Sequence, residues 1–259
     1  GEGGCLPGAV KAVIDWVPKQ HQAVANGIAI GGLAIGAMVA LPLCALLLQY
    51  ANWRYIFLGC GMLGIVWFIA WMVMTRRKTH DKYGQGVLEN EKKQFSWHEL
   101  GRAVKSRESR VFIIMRFLLD PIFYFFMFWI PTYLSDACGM DINEIGYTTW
   151  IPFLALGVAN IIGGFLSDAV YAKTNNLDFS RKVIMAAGAL LTIPVIFVGL
   201  YPSTNMVIIS MTMAFAGHGL WITNYITAIG DTFGKKTTST IVGLSGSVGA
   251  IPPLVIKSE

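Results

Sequence analysis

Residues 54–78 read RYIFLGCGMLGIVWFIAWMVMTRRK: one arginine, then 21 residues without a charge, then three bases in a row. The hydrocarbon core of a bilayer takes about 20 apolar residues as a helix, so this stretch reads as a membrane span. The bases at its end mark the cytoplasmic side. Working outward, comparable apolar runs cover 23–49, 111–134, 145–171, 183–200 and 205–229, with partial ones at 1–15 and 239–256. None alternates with a period of two, which excludes a barrel. Hydrophobic residues make up 54% of the chain and charged residues 14%, against about 25% charge in an ordinary soluble domain. The expected fold class is therefore all-α, a polytopic membrane helical bundle of about eight segments. Soluble, disordered and disulfide-scaffold classes are excluded.

The basic residues fix the orientation. Ten lie between 76 and 110, from Arg76 to Arg110. Lys19, Lys173, Arg181, Lys182, Lys235 and Lys236 continue the pattern in alternate connections, while Arg54 stands alone on the other side. Sixteen against one is a positive-inside signal. The net charge of +5 therefore faces the cytoplasm and calls for no nucleic-acid partner. The stretch 76–110 reads as a cytoplasmic linker with one amphipathic helix over 94–107. It divides the chain into 1–75, the end of one helical bundle, and 111–259, most of another. Gly1 in place of an initiator Met, and Glu259 soon after an apolar run, read as a fragment. Cys5, Cys44, Cys60 and Cys138 have no metal-ligand spacing and read as buried free thiols. No cofactor or metal is expected.

An internal repeat supports two related halves. Displacing the chain by 216 residues aligns Asp15-Trp16-Val17-Pro18-Lys19 with Asp231-Thr232-Phe233-Gly234-Lys235, and Gly27 with Gly243. Both copies read as a helix end, a short basic turn and a glycine-rich helix. The same displacement carries Glu2 onto His218, which should then face each other across the space between the halves. Gly59, Gly61 and Gly64 match a dinucleotide fingerprint, but inside an apolar helical run with no strand before it, so helix packing is the reading. Gly27, Gly31, Gly32 and Gly36 form overlapping small-xxx-small pairs and are read as helix-packing positions.

Ionisable groups within spans are costly and usually mark a wet pathway. Glu2, Lys11, Asp120 and His218 qualify, whereas Arg116 and Asp168 sit near helix ends, where snorkelling or capping accounts for them. Asp120 lies one turn after Arg116 and can pair with it. Asn160, Asn224, Tyr124 and Tyr225 are helix-interior groups that can bind a hydroxylated solute or bond across helices.

Several of these residues also carry a family resemblance. Gly1 to Lys11 with Asp15-Trp16-Val17-Pro18-Lys19 resembles the fourth helix and following turn of the anion:cation symporter family of the major facilitator superfamily, and within it the bacterial hexuronate and sugar-acid transporters. Asn52-Trp53-Arg54-Tyr55-Ile56-Phe57, Phe117-Leu118-Leu119-Asp120-Pro121, Phe128-Trp129-Ile130-Pro131, Gly163-Gly164-Phe165-Leu166-Ser167-Asp168 with Arg181-Lys182, and His218, Trp221, Asn224, Asp231 and Phe233 extend the likeness from helix four to helix eleven of an expected twelve. Ile30, Gly31, Ala34, Gly219 and Thr132 replace polar residues of the family pattern, leaving fewer donors for a polyhydroxy acid.

The resemblance implies a secondary transporter, not an enzyme, working by alternating access as a monomeric carrier in the bacterial inner membrane. Its partners would be a small organic anion, protons and the lipid bilayer. It implies proton coupling at Glu2, where a buried carboxylate is physically apt, and a substrate cavity lined by His218, Asn224, Asp120, Tyr124 and Trp221. The alternative is a transporter-like receptor that binds its solute without moving it.

Overall fold

The computed structural model describes residues 4–50, 52–76, 97–196, 198 and 203–250. Among them every regular element is helical: α1 Cys5–Trp16, α2 Gln22–Tyr50, α3 Trp53–Arg76, α4 Trp97–Lys105, α5 Arg107–Asp136, α6 Ile142–Thr148, α7 Trp150–Thr174, α8 Leu177–Leu190 and α9 Thr204–Gly249, with single 3-10 turns at Lys19–His21 and Ile193–Val195. The sequence places side-chain caps where helices begin: Ser106 Oγ accepts from Ser109 N–H at 3.1 Å, and Asn176 Oδ1 from Phe179 N–H at 3.0 Å. Among the described residues five stretches are long and apolar enough to cross a membrane: Lys19–Tyr50, Trp53–Val73, Arg107–Asp136, Asn143–Thr174 and Thr204–Gly249.

Five stretches stand for the eight segments expected, for three reasons. Both segments expected at 205–229 and 239–256 are present as the two arms of α9, which break from each other at Gly234, with φ of 63° and ψ of −166°. The segment expected at 183–200 is an α-helix only over Leu177–Leu190, 14 residues, followed by the turn Ile193–Val195, with 197 and 199–202 outside the described residues. Because it starts at Leu177, Arg181 and Lys182 belong to a helix and the preceding connection shrinks to Asn175-Asn176. The third reason is that α1 covers only Cys5–Trp16, 12 residues, since Gly1 to Gly3 lie outside the described residues. Most of the linker 76–110 lies outside them as well, but α4 falls within the amphipathic helix anticipated over 94–107.

Two helix pairings join the parts of the chain on either side of the linker. Along the first, α2 lies on α7 with almost no side-chain volume between backbones. A Cβ at Gly27 would run into the Asn160 carbonyl, one at Gly164 into the Ala23 carbonyl, and one at Gly31 would lie 3.1 Å from the Gly157 carbonyl. Gly32 and Gly36 have nothing within 4 Å of a Cβ and take no part in this contact. Helix geometry separates them: 27 and 31 lie one turn apart on the contact face, whereas 32 and 36 are turned about 100° and 140° from 31.

Along the second pairing, Val10 and Ile14 of α1 join Trp221, Tyr225, Ile226, Ile229, Ile241 and Val242 of α9 in one apolar core. Ile14 touches the position where Gly230 would carry a Cβ, at 2.8 Å. These two residues are 216 apart, so equivalent positions of the sequence repeat meet each other, as they must at a pseudo-twofold axis. The two helix breaks, after Pro18 and at Gly234, are likewise repeat equivalents.

No described side chain of α3 is buried; Leu63, Trp67 and Val73 are all more than half exposed. An apolar helix bare on every side suits lipid as its solvent. All four cysteines are unpaired, but none is buried: Cys5 and Cys60 are exposed, Cys44 and Cys138 half-buried. Cys5, Cys44 and Cys60 lie on helices, where in a membrane protein an apolar residue need not be inside, and Cys138 sits in the turn after α5 against the cluster of Leu134 and Phe215.

Candidate functional site

The basic helix ends meet in an ion network. Arg181, 2% exposed, reaches from α8 to both α7 and α9. Its Nη1 donates to Ser167 Oγ at 2.7 Å and Asp168 Oδ1 at 3.0 Å, and its Nε to Asp231 Oδ2 at 3.1 Å. The other oxygen of Asp168 accepts the Val24 backbone N–H in the first turn of α2 at 2.9 Å. Free N–H groups and the helix dipole make that position favourable for a carboxylate. Asp168 therefore does cap a helix, though one on the other side of the linker. Nearby, Lys235 Nζ donates to the Asp15 carbonyl at 3.2 Å, and Lys11 pairs with the Asp15 carboxylate at 3.0 Å instead of reaching free to the membrane surface.

Deeper in, neutral polar groups connect the helices. Asn26 Nδ2 on α2 donates to Thr227 Oγ1 on α9 at 3.0 Å, and Thr223 Oγ1 donates to Asn160 Oδ1 on α7 at 2.8 Å. All four are buried. Asn224 belongs to this seam: its Nδ2 donates to the carbonyls of Leu220 at 2.9 Å and Gly163 at 3.3 Å. It fastens α9 to α7, so the structure sets it apart from the other expected substrate residues. On α9 it is turned away from the face that holds 218, 221 and 225.

Those others are brought together on the facing sides of α5 and α9, in a ladder of rings. Tyr124 stacks on Phe128 at 6.2 Å and meets Phe123 edge-on at 5.8 Å. Phe123 lies flat against His218 at 4.1 Å. The His218 ring is 6.2 Å from that of Trp221, which stacks on Tyr225 at 4.6 Å. Tyr225 donates to the Phe112 carbonyl at 2.8 Å and carries the Arg116 guanidinium 5.9 Å above its ring. Arg116 Nε in turn donates to Asp120 Oδ2 at 2.8 Å. The ladder thus ends in an ion pair with Arg116 9% and Asp120 4% exposed. Arg116 does not snorkel; α9 covers it, a tertiary contact that distance from a helix end does not reveal.

His218 lines a cavity of about 40 Å³ with Leu119, Phe126, Gly188 and Trp221. Every residue around that cavity belongs to 111–249, so His218 is packed among helices of its own side of the linker and does not face across to α1. The repeat arithmetic set its height along the helix but not its rotation. Ligand pockets usually begin at about 300 Å³, so in this arrangement the His218 cavity is closed to anything larger than a few waters. Glu2 lies outside the described residues.

A helical bundle with repeat-related helices meeting about an axis, tied by ion pairs at the basic end, has one further witness in the sequence. A family model described as Major Facilitator Superfamily matches residues 1–256. The chain belongs to the Major Facilitator Superfamily. As a superfamily member with several spans it is a multi-pass membrane protein. Among its curated relatives, the hexuronate transporter of Escherichia coli (strain K12) is 26% identical over 260 residues, covering 95% of this chain and 59% of that protein. The galacturonate transporter of Dickeya chrysanthemi is 30% identical over 223 residues, covering 80% and 63%. A probable galactarate/D-glucarate transporter of Bacillus subtilis (strain 168) is 25% identical over 267 residues, covering 96% and 58%. The chain thus spans about three fifths of the length of the curated relatives it matches.

Proposed function

We propose that this superfamily member belongs to a secondary active transporter that moves a small organic anion, a sugar acid of the hexuronate or aldonate kind, together with protons. The reading places it in a bacterial inner membrane as a monomeric carrier. Residues 1–75 form the end of one bundle, 111–259 most of the other, and 76–110 a cytoplasmic linker. Alternating access needs contacts between the bundles that can open and close, and the Asp168–Val24 and Asn26–Thr227 hydrogen bonds are of that kind. The observation that carries the substrate class is the set of relatives, named as transporters of hexuronate, galacturonate and galactarate/D-glucarate.

In this reading Glu2 carries the proton, since a carboxylate in a span is costly when charged and stable when protonated. Asp120, Tyr124, His218 and Trp221 contribute to the substrate side of α5 and α9, and Asn224 to their positioning. Counterflow of labelled galacturonate in proteoliposomes of the intact carrier tests the activity: a carrier exchanges it, and a receptor that only binds gives no exchange. Glu2→Gln tests the coupling. The neutral side chain imitates the protonated state, so accumulation against a gradient should be lost while downhill exchange persists. Undiminished accumulation by the variant would remove Glu2 from the mechanism.

A further inference from the structure

Among the described residues two arginines are buried, and they are compensated very differently. Arg181 holds two carboxylates, those of Asp168 and Asp231, and the Ser167 hydroxyl, so that its charge is more than offset although its Nη2 is without a partner. Arg116 holds one carboxylate through a single bond, Nε to Asp120 Oδ2, and its buried Nη1 has no partner. A guanidinium presents five donors in a planar fork that fits a carboxylate two bonds at a time. Leaving a charged donor unused away from water forfeits its hydration with nothing in return. Asp120 offsets the charge of Arg116 without exhausting its hydrogen bonding.

The surroundings leave the space of one methyl beside that unused donor. On the second arm of α9, Gly246 faces the guanidinium: a methyl there would stand 3.5 Å from both Cζ and Nη1. One turn on, a Cβ at Gly249 would lie 2.5 Å from Asp120 Oδ2, so only a glycine lets the pair sit against this helix. One turn back, Gly243 lies beside Pro7 of α1, 3.7 Å from its ring. Leu6 and Val10 of α1 share an apolar cluster with Met115, Leu119 and Tyr225, the residues next to Arg116. The ion pair therefore lies under the contact between α1 and α9, which is a contact between the two parts of the carrier.

We propose that Arg116 is a carboxylate-binding site for the transported anion, oriented by Asp120 and uncovered when α1 and α9 separate. The assignment rests on the organic-anion reading above and adds the residue that takes the acid group. Asp120 then acts as a positioning residue: it holds Nε and turns the Nη edge toward Gly246 and the α1 side. The anion's carboxylate takes the place beside Nη1 that Gly246 leaves open, and the ring ladder from Tyr225 to Tyr124 offers faces for the rest of the molecule.

The test measures binding of D-galacturonate and of D-galactose, its analogue without the carboxylate, to the purified intact carrier. The wild type should prefer galacturonate. The paired variant Arg116→Gln with Asp120→Asn keeps a hydrogen bond between the two side chains and removes both charges. It should weaken galacturonate about tenfold or more and erase the preference over galactose. Gly246→Val fills the space beside Nη1 and keeps the ion pair, so it serves if the paired variant does not fold. It too should weaken galacturonate, and a cooperative melting transition shows that the variant is folded. Wild-type affinity in a folded paired variant, or in Gly246→Val, would overturn the assignment and leave the ion pair structural. A wild-type carrier that binds no sugar acid would overturn the organic-anion reading itself, and this assignment with it.

Discussion

At the scale of single residues, the sharpest contrast lies along the glycines of α2. Gly27, Gly31, Gly32 and Gly36 look alike in sequence, yet only Gly27 and Gly31 meet the α7 backbone. The difference is testable. Gly27→Ala drives a methyl into the Asn160 carbonyl, and overpacking of this kind typically costs about 1–3 kcal/mol. Gly32→Ala meets nothing and gains helix propensity, so it should be neutral or slightly stabilising. Thermal unfolding in detergent should separate the two, and equal melting temperatures would count against the α2–α7 contact. The same blindness to rotation sent Asn224 to the substrate set and Arg116 to the helix end. Asp120, Tyr124, His218 and Trp221, grouped by the family resemblance, do come together on the facing sides of α5 and α9. That these rings lie flat against one another, and that His218 looks into α5 and α8, depends on packing that no local pattern encodes.

At the scale of elements, the long apolar runs at 23–49, 54–75 and 111–134 gave α2, α3 and α5 to within a few residues, since a run that length leaves a helix little choice. Ends were less legible. Arg181 and Lys182 looked like a polar loop, but capping by Asn176 and burial of Arg181 against two aspartates bring them into α8. The break in α9 was anticipated as a turn by the repeat that sets Gly234 opposite Pro18. Its physical basis can be checked. Gly234 has a positive φ and an extended ψ, a region nearly reserved for glycine, and a Cβ there would meet no atom within 4 Å. Any loss in Gly234→Ala must then come from the backbone, at about 1–3 kcal/mol. The change should straighten the bend, loosening the Lys235–Asp15 contact that depends on it. An unchanged melting temperature would mean that α9 bends for some other reason.

At the scale of the whole molecule, the feature to explain is that α2 is in close contact from end to end, with α7 over most of its length and with α6 at the far end. Contact begins at the basic end, where Gly164 meets Ala23, continues at mid-helix, where a Cβ on Gly157 would lie 3.4 Å from that of Ala34, and reaches the far end, where one on Gly146 of α6 would lie 2.6 Å from that of Ala45. A carrier with two bundles that alternate must part this seam at one end while the other stays closed, so the middle moves least. Cysteine pairs turn that lever into a measurement. The Ala34 and Gly157 positions are close to the Cβ separation of about 3.8 Å that a disulfide prefers, and the Ala45 and Gly146 positions reach it after a small retreat of the backbones. With the four native cysteines replaced, both pairs should cross-link on oxidation. Cross-linking Ala45→Cys to Gly146→Cys should stop galacturonate exchange, because the far end can no longer open, and reductant should restore it. The Ala34→Cys and Gly157→Cys link sits near the fulcrum and should slow exchange much less. If the far-end link leaves exchange at full rate, the α2–α7 seam is a fixed joint, and the opening needed for alternating access must lie between other helices.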